Sequence, residues 1–223
     1  AKPAGTLSQP SEQDPHAMSF DRQILLFLAL EEGQKPFLRL FHRLDRLTSG
    51  AVLFARRPEI LARLSGLWKE GRVERLYLAI VEGQPAFDVT TIDAPIARDP
   101  THSWRFRVAQ GGKPARTELK VLGRADQGPC TVLCRLVTGR THQVRVHFAF
   151  IGHPLVGDPT YGFRKQRLTD YGLPPLGRQF LHAHQVTISL PGESQKQKFT
   201  AALPQELEDV LGELRQSMTR SKI

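Results

Sequence analysis

The chain reads as an α+β domain built on a mixed, mostly antiparallel sheet with flanking helices. Three observations predict it. Short apolar runs of strand length and amphipathic stretches of helix length are mixed along the chain. They do not alternate as regular βαβ units, which argues against a doubly wound nucleotide fold. No glycine-rich phosphate or dinucleotide fingerprint is present.

The elements follow in order. Residues 1–18 contain three prolines and few large apolar groups, so they read as an extended leading segment. Asp21 is expected to cap a helix through Glu32, with Ile24, Leu25 and Leu28 on one face and Gly33 as the stop. Residues 51–55, AVLFA, have the length of a buried strand. Pro58 opens a second helix, whose Ile60, Leu64, Leu67 and Trp68 share a face and which Gly71 ends. Arg75 to Val81 alternates as a strand, Leu76, Leu78 and Ile80 on one side, Tyr77 and Ala79 on the other.

Residues 98–117 hold five Lys or Arg against one acid, Asp99, and contain Gly111-Gly112, which predicts a basic surface loop or hairpin. Strands follow at Glu118–Leu122 and Thr131–Val137. Thr141 is expected to cap a helix reaching Ile151, with Val144, Phe148 and Ile151 on its apolar face. Residues 157–179, with three Pro, four Gly and four Lys or Arg, read as a second basic loop. A strand at Ala183–Leu190 and a helix from Pro204 to about Met218, burying Leu207, Val210, Leu211 and Leu214, complete the chain.

Composition narrows the function. The 223 residues are 40% hydrophobic and 24% charged, which excludes disorder over most of the length. The longest apolar run, Ile24 to Leu30, is seven residues, far short of the roughly 20 a membrane helix needs. Thirty-one Lys and Arg against 22 Asp and Glu give +9. Such a balance suits a polyanion partner such as RNA or DNA, drawn by long-range attraction and counterion release. The two cysteines, Cys130 and Cys134, fall in an apolar strand and read as small buried residues of a protein from a reducing, cytoplasmic compartment.

Two segments are dense in chemistry. In HRLDRLTSG, residues 42–50, Asp45 lies among His42, Arg43 and Arg46 just before an apolar run. Neighbouring cations favour the ionised carboxylate. Two readings stand for it: a nucleophile or base on a loop, or a salt-bridged structural turn formed with Thr48 and Ser49. In GRTHQVRVH, residues 139–147, Arg145 falls in the first turn of a helix, where a cation opposes the helix dipole. That placement implies an anionic partner, and Asp45 is the natural candidate. His142 and His147 are five apart, not the four that zinc takes on one helical face, so no metal site is expected.

These segments resemble the signatures of the RluA-type pseudouridine synthases. HRLDRLTSG is similar to that family's catalytic motif. In chain order, Lys2-Pro3-Ala4-Gly5 resembles its opening KPxG, and Arg75 to Gly83 its tyrosine-bearing strand. Gly112 to Thr117 resembles its GKPAxT turn, residues 139–162 its longest motif, and Leu181-His182-Ala183 its late LHA. The likeness extends from residue 2 to about 200; residues 191–198 depart from the family's usual end to the last strand.

The resemblance implies the pseudouridine synthase fold with a central active-site cleft. It implies isomerisation of uridine to pseudouridine within ribosomal or transfer RNA. The C1′–N1 bond breaks, the uracil turns, and C1′ rejoins C5. No cofactor is implied, because the base never leaves. Asp45 maps to the catalytic aspartate, by attack on C1′ or by removal of the 2′ proton, both of which need it ionised. Arg145 maps to the arginine that pairs with it, and Tyr77 to the tyrosine that lies against the base. Arg43 maps to a position that fills the space of a flipped base, or it braces the loop. Val144 and Leu181 map to apolar positions near the pocket or in the core.

Residues 1–223 are expected to form one catalytic domain without an S4 RNA-binding domain, monomeric, with RNA as partner and no membrane. An inactive RNA-binding relative is the alternative. It would be free to lose Asp45, Tyr77 or Arg145, and all three are present.

Overall fold

The computed structural model describes residues 1–12, 14–125, 128–162, 168–193 and 195–220, the side chains of 217–220 excepted. Its elements are α1 (Phe20–Glu32), β1 (Arg39–Leu40), β2 (Ser49–Gly50), β3 (Phe54–Ala55), α2 (Pro58–Lys69) and β4 (Val73–Val81). Then come β5 (Val89–Asp93), β6 (Ile96–Arg98), β7 (Phe106–Val108), β8 (Arg116–Arg124), β9 (Cys130–Leu136) and α3 (Gln143–Phe150). A short 3-10 turn at Leu168–Tyr171 precedes β10 (Leu181–Ile188), β11 (Gln197–Thr200) and α4 (Gln205–Arg220). Among the described residues, no helix is long and apolar enough to cross a membrane. The arrangement is α+β, and the strand pairs β1–β3, β4–β9, β5–β8, β6–β7, β8–β9 and β10–β11 are all antiparallel.

The chain divides into two compact units, Ala1–Arg75 with Ala183–Ala202, and Leu76–His182 with Leu203–Ile223. The boundary falls inside β4 and inside β10. In the first unit, β10 pairs with β11 and carries β2, and Ser189 N–H donates to Arg72 O just before β4. Helix α2 covers this region. Its Leu67, with Leu64 and Trp68, meets Ala51, Val73, Val186 and Ile188, so the face that the 3.6 period selects is the face that packs. Pro58 stands at its start and Gly71, at φ 69°, follows its end.

In the second unit β4, β9, β8 and β5 lie side by side in that order. Ile80 and Phe180 join Leu207, Val210, Leu211 and Leu214 of α4 in one core, as the apolar stripe of that helix requires. A second cluster holds Ile96, Ala115, Val146 and Tyr161, tying the β6–β7 hairpin to α3. The cysteines are buried thiols.

Several expectations are corrected. Residues 51–55 do not form one strand. Gly50, at φ 126°, lies against the backbone of Ala183, where a β-carbon would meet the carbonyl oxygen at 2.3 Å. Ala51 N–H still donates to Ala183 O, at 2.8 Å, but the next strand residue is Phe54. Ser19, not Asp21, stands at the N-cap of α1. Asp21 lies in the first turn and accepts the Ser19 hydroxyl at 2.5 Å. Along β4 the alternation holds, but Tyr77 and Ala79 are buried while Leu76 and Leu78 are half-buried. The surface loop or hairpin expected at residues 98–117 is a hairpin, β6–β7, followed by the start of β8, as expected. Strands β5 and β11 were not anticipated. Val89 is 68% exposed and all four residues of β11 are exposed, so neither carries the apolar alternation that marks a strand. Of the basic loop at 157–179, residues 163–167 lie outside the described ones, as does Ser194 in the segment 191–198.

Candidate functional site

The loop bearing Asp45 is fixed from beneath by the leading segment. Lys2 is 1% exposed, and its ammonium donates to the carbonyls of Pro3 at 2.7 Å, Thr6 at 2.8 Å and Arg46 at 3.2 Å. Its backbone bridges Gly50 in both directions, at 2.7 and 3.0 Å. The Ser8 hydroxyl donates to Leu44 O at 2.8 Å and accepts Leu44 N–H at 2.9 Å. The Arg46 carbonyl and side chain tie the loop to Gly5, Gly5 N–H donating to Arg46 O at 2.8 Å and Arg46 Nε to Gly5 O at 2.9 Å. Asp45 O accepts Thr48 N–H at 3.0 Å, which closes the turn. The KPxG and HRLDRLTSG segments are therefore one construction. Asp45 is half-buried at its edge, Arg43 is exposed and Leu44 is buried. Ser8 was not read from the sequence, because a lone serine in an irregular segment carries no pattern.

His42 is not among the cations near Asp45. Burial first, and then Arg75, push its imidazole down to about 4. Its ring stacks on Trp68 at 6.3 Å, and the Arg75 guanidinium sits 4.2 Å from the centre of the Trp68 ring. Leu53 N–H donates to His42 Nε2 at 3.3 Å, so the neutral ring carries its proton on Nδ1.

A stability effect follows, and its sign is definite. Between 6.5 and about 4 the unfolded histidine binds a proton that the folded one refuses. Its contribution is full above 6.5 and is lost as pH falls towards 4, by roughly 3 kcal/mol. Glu82 works the other way. Burial, with Asp170 second, raises it from 4.5 to about 7, so its contribution is lost as pH rises through that window. Urea unfolding of wild type and His42→Phe from pH 4 to 8 isolates the histidine. The difference between the two proteins is expected to shrink as pH falls; a constant difference would show that His42 titrates normally.

The second unit positions Tyr77, Val144, Arg145 and Leu181, all at most 5% exposed. Tyr77 is opposite Cys134 across the β4–β9 pair. Arg145 is in the first turn of α3, as expected, and within this unit its anionic partner is Asp158. Arg145 Nε and Nη2 reach the two carboxylate oxygens at 2.7 and 2.9 Å, and Asp158 also accepts the N–H groups of Thr160 and Tyr161 at 2.8 and 3.0 Å. Both side chains of the pair are essentially buried, at 6% and 0%. Breaking such a pair costs about 3–5 kcal/mol, because the other charge stays buried. Tyr161 covers the guanidinium, 5.0 Å from its ring centre. Asp158 and Tyr161 lie in the segment GDPTYG, the end of the 139–162 motif, whose pattern alone gives them no role.

The cap of α3 differs from the expectation. His142, not Thr141, holds the N-cap, at φ 55°. No other non-glycine among the described residues has positive φ. The Tyr161 hydroxyl accepts Phe106 N–H at 2.9 Å and is hydrogen-bonded to His142 Nδ1, also at 2.9 Å. Gln143 then serves the turn, its carbonyl oxygen accepting Arg140 N–H at 3.0 Å and the Thr138 hydroxyl at 2.7 Å. His147 is bound at both nitrogens, to Thr117 Oγ1 and to Ala94 O, each at 2.9 Å. Burial lowers its pKa.

A cleft of about 530 Å³ opens beside this helix start, lined by the β6–β7 hairpin, the Gly111–Lys113 turn and residues 139–141. Arg98, Lys113 and Arg140 give it positive charge, and Ile96 and Phe106 an apolar wall. It can receive an anion with a flat apolar part.

Residues 1–150 match the model of a family described as RNA pseudouridylate synthase. The chain is 38% identical to an uncharacterized RNA pseudouridine synthase of Chloroflexus aurantiacus, over 96% of this chain and 65% of that one. It is 38% identical to the ribosomal large subunit pseudouridine synthase D of Nitrosomonas europaea, over 96% and 61%. It is 39% identical to the ribosomal large subunit pseudouridine synthase C of Escherichia coli, over 80% and 57%. It thus spans less than two thirds of the length of each. Among solved structures, human RNA pseudouridylate synthase domain containing 1 superposes with a TM-score of 0.62 at 31% identity over 80% of both chains. Human RNA pseudouridylate synthase domain containing 4 shares the fold, with a TM-score of 0.74 at 24% identity over 96% of this chain and 88% of that one. With its signature segments built as described and two thirds of its length matched to one family model, this chain belongs to the RNA pseudouridylate synthase family.

Proposed function

We propose that the protein isomerises uridine to pseudouridine in structured RNA, with Asp45 as the catalytic residue. Ribosomal RNA stands first among substrates, because two of the relatives carry the ribosomal large subunit in their names. The observation that carries the reading is the HRLDRLTSG loop, pinned by Lys2, Ser8 and Gly5 so that Asp45 stands half-buried at its edge. A carboxylate needed at one atom of a sugar gains from such preorganisation. Tyr77 lies against the target base, Arg145 supplies the cation that the family pattern sets against the carboxylate, and Arg43 fills the place of the flipped base. Val144 and Leu181 form apolar wall. Base extrusion costs a few kcal/mol in a duplex, which a side chain in the gap offsets in part. The isomerisation needs no cofactor, since every atom of the substrate is retained.

The test is direct. Purified protein and a uridine-containing RNA stem-loop are expected to yield pseudouridine in a single-turnover assay, and mapping of cellular RNA with and without the protein identifies the position. No pseudouridine in either experiment would overturn the reading.

Binding is expected to rest partly on the basic hairpin. Arg107 and Lys113 are exposed and Arg105 half-exposed. Changing all three to Gln removes up to three phosphate contacts. Affinity for the stem-loop should fall, and the slope of log K against log salt should become shallower by roughly 2–3. An unchanged slope would place this hairpin away from the RNA.

A further inference from the structure

We propose that Trp104, at the tip of the β6–β7 hairpin, is a stacking platform for an unpaired base of the RNA outside the reacting uridine; the proposal rests on RNA being the substrate. Trp104 is 59% exposed, a large apolar ring set in a basic hairpin. Exposed single hydrophobes are ordinary, so exposure alone decides nothing. Three further observations give this one a partner.

The tip is held rigidly. Asp99 Oδ1 accepts Thr101 N–H at 2.9 Å and the Thr101 hydroxyl at 2.7 Å, which keeps the Asp99 carboxyl below its ordinary pKa. Asp99 N–H donates to Arg105 O at 2.9 Å, and Arg105 N–H to His102 O at 2.8 Å. The indole is therefore presented by a closed, hydrogen-bonded turn instead of a loose loop, and ordering it on binding costs little.

The ring has a cation over it and an imidazole in T-shaped contact. The Arg105 guanidinium is 5.8 Å from its centre and 5.5 Å from that of Tyr161, and the His102 ring meets it edge-on at 5.8 Å. At 59% exposure the indole still offers area to a flat partner. Arg105 also links the tip to Tyr161, which covers Arg145, so the platform is connected to the helix start described above.

Charge selects the partner. The hairpin carries Arg98, Arg105 and Arg107 against Asp99, and the cleft at its base adds Lys113 and Arg140. Gly112 forms the close floor of that cleft, where a β-carbon would meet the Ile96 carbonyl carbon at 2.7 Å. A ligand that offers a π-face to the indole and negative charge to the arginines is a nucleotide within a polyanion. An apolar protein partner would leave those arginines facing it unpaired.

The experiment titrates wild type, Trp104→Phe and Trp104→Ala with a uridine-containing RNA stem-loop that has single-stranded flanks, reading indole fluorescence and affinity. Inorganic polyphosphate, which has charge but no bases, is the control ligand. Wild type is expected to show quenching by RNA that Trp104→Phe lacks and that polyphosphate does not produce. Trp104→Ala should bind RNA about tenfold more weakly and Trp104→Phe less than threefold, both with the wild-type salt slope, because stacking releases no counterions. Unquenched indole at saturating RNA, equal quenching by polyphosphate, or wild-type affinity for Trp104→Ala would overturn the platform while leaving RNA as substrate. No binding of RNA by wild type would overturn both.

Discussion

Asp45→Asn is expected to lose turnover on a uridine-containing stem-loop by roughly a thousandfold or more while RNA affinity stays within a few-fold of wild type. Asparagine keeps the volume and planarity of the side chain and removes its charge. Both routes open to the aspartate, attack on C1′ and removal of the 2′ proton, need the carboxylate and are closed to the amide. Affinity survives because it comes from many phosphate contacts, to which one carboxylate adds only repulsion. The loop itself should stay in place. Its restraints include the Lys2 ammonium, the Ser8 hydroxyl, the Gly5–Arg46 pair and the Asp45 carbonyl, which accepts Thr48 N–H, and none of these is changed by the substitution. Unfolding curves should therefore overlay. Turnover by Asp45→Asn above a trace would remove Asp45 from the reaction.

Tyr77 is expected to separate stacking from proton transfer. Tyr77→Phe keeps the ring, so a residue that acts by lying against uracil should retain most of its single-turnover rate in this variant. Tyr77→Ala removes the ring and should lose roughly ten- to hundredfold, the range that stacking supplies per base. The tyrosine is 5% exposed, and truncating a buried aromatic costs about 3–5 kcal/mol of stability. The rates therefore belong at a temperature where thermal melts show both variants folded. Equal losses in the two variants would assign the role to the hydroxyl. A wild-type rate for Tyr77→Ala would mean that the base lies elsewhere.

Much of this was legible in the residues themselves. The apolar periods of α2 and α4 select the faces that pack, because a helix must bury one stripe whatever it is packed against. Family membership followed from ordered short motifs, and the structure gives two of them a physical meaning. Gly50 ends its motif because only a residue without a β-carbon fits against Ala183 at that φ. Lys2 opens the chain's first motif because its ammonium is the cation that three carbonyls of two segments share.

What local pattern did not reveal are the features decided by residues far apart in the chain. β5 and β11 form by pairing at their edges, with little apolar alternation to announce them. His42 reads as a cation beside Asp45, yet burial against Trp68 and the charge of Arg75 keep it neutral. Thr141 is a good capping residue by composition, but the Tyr161 hydroxyl holds His142 and moves the helix start one residue on. Arg145 required an anion by the dipole argument, and a bidentate one lies thirteen residues later, in Asp158. A sequence determines which groups need burial, a partner or a cap, since these needs belong to each side chain. Which group meets the need depends on what the fold brings within about 3 Å, and only the tertiary structure decides that.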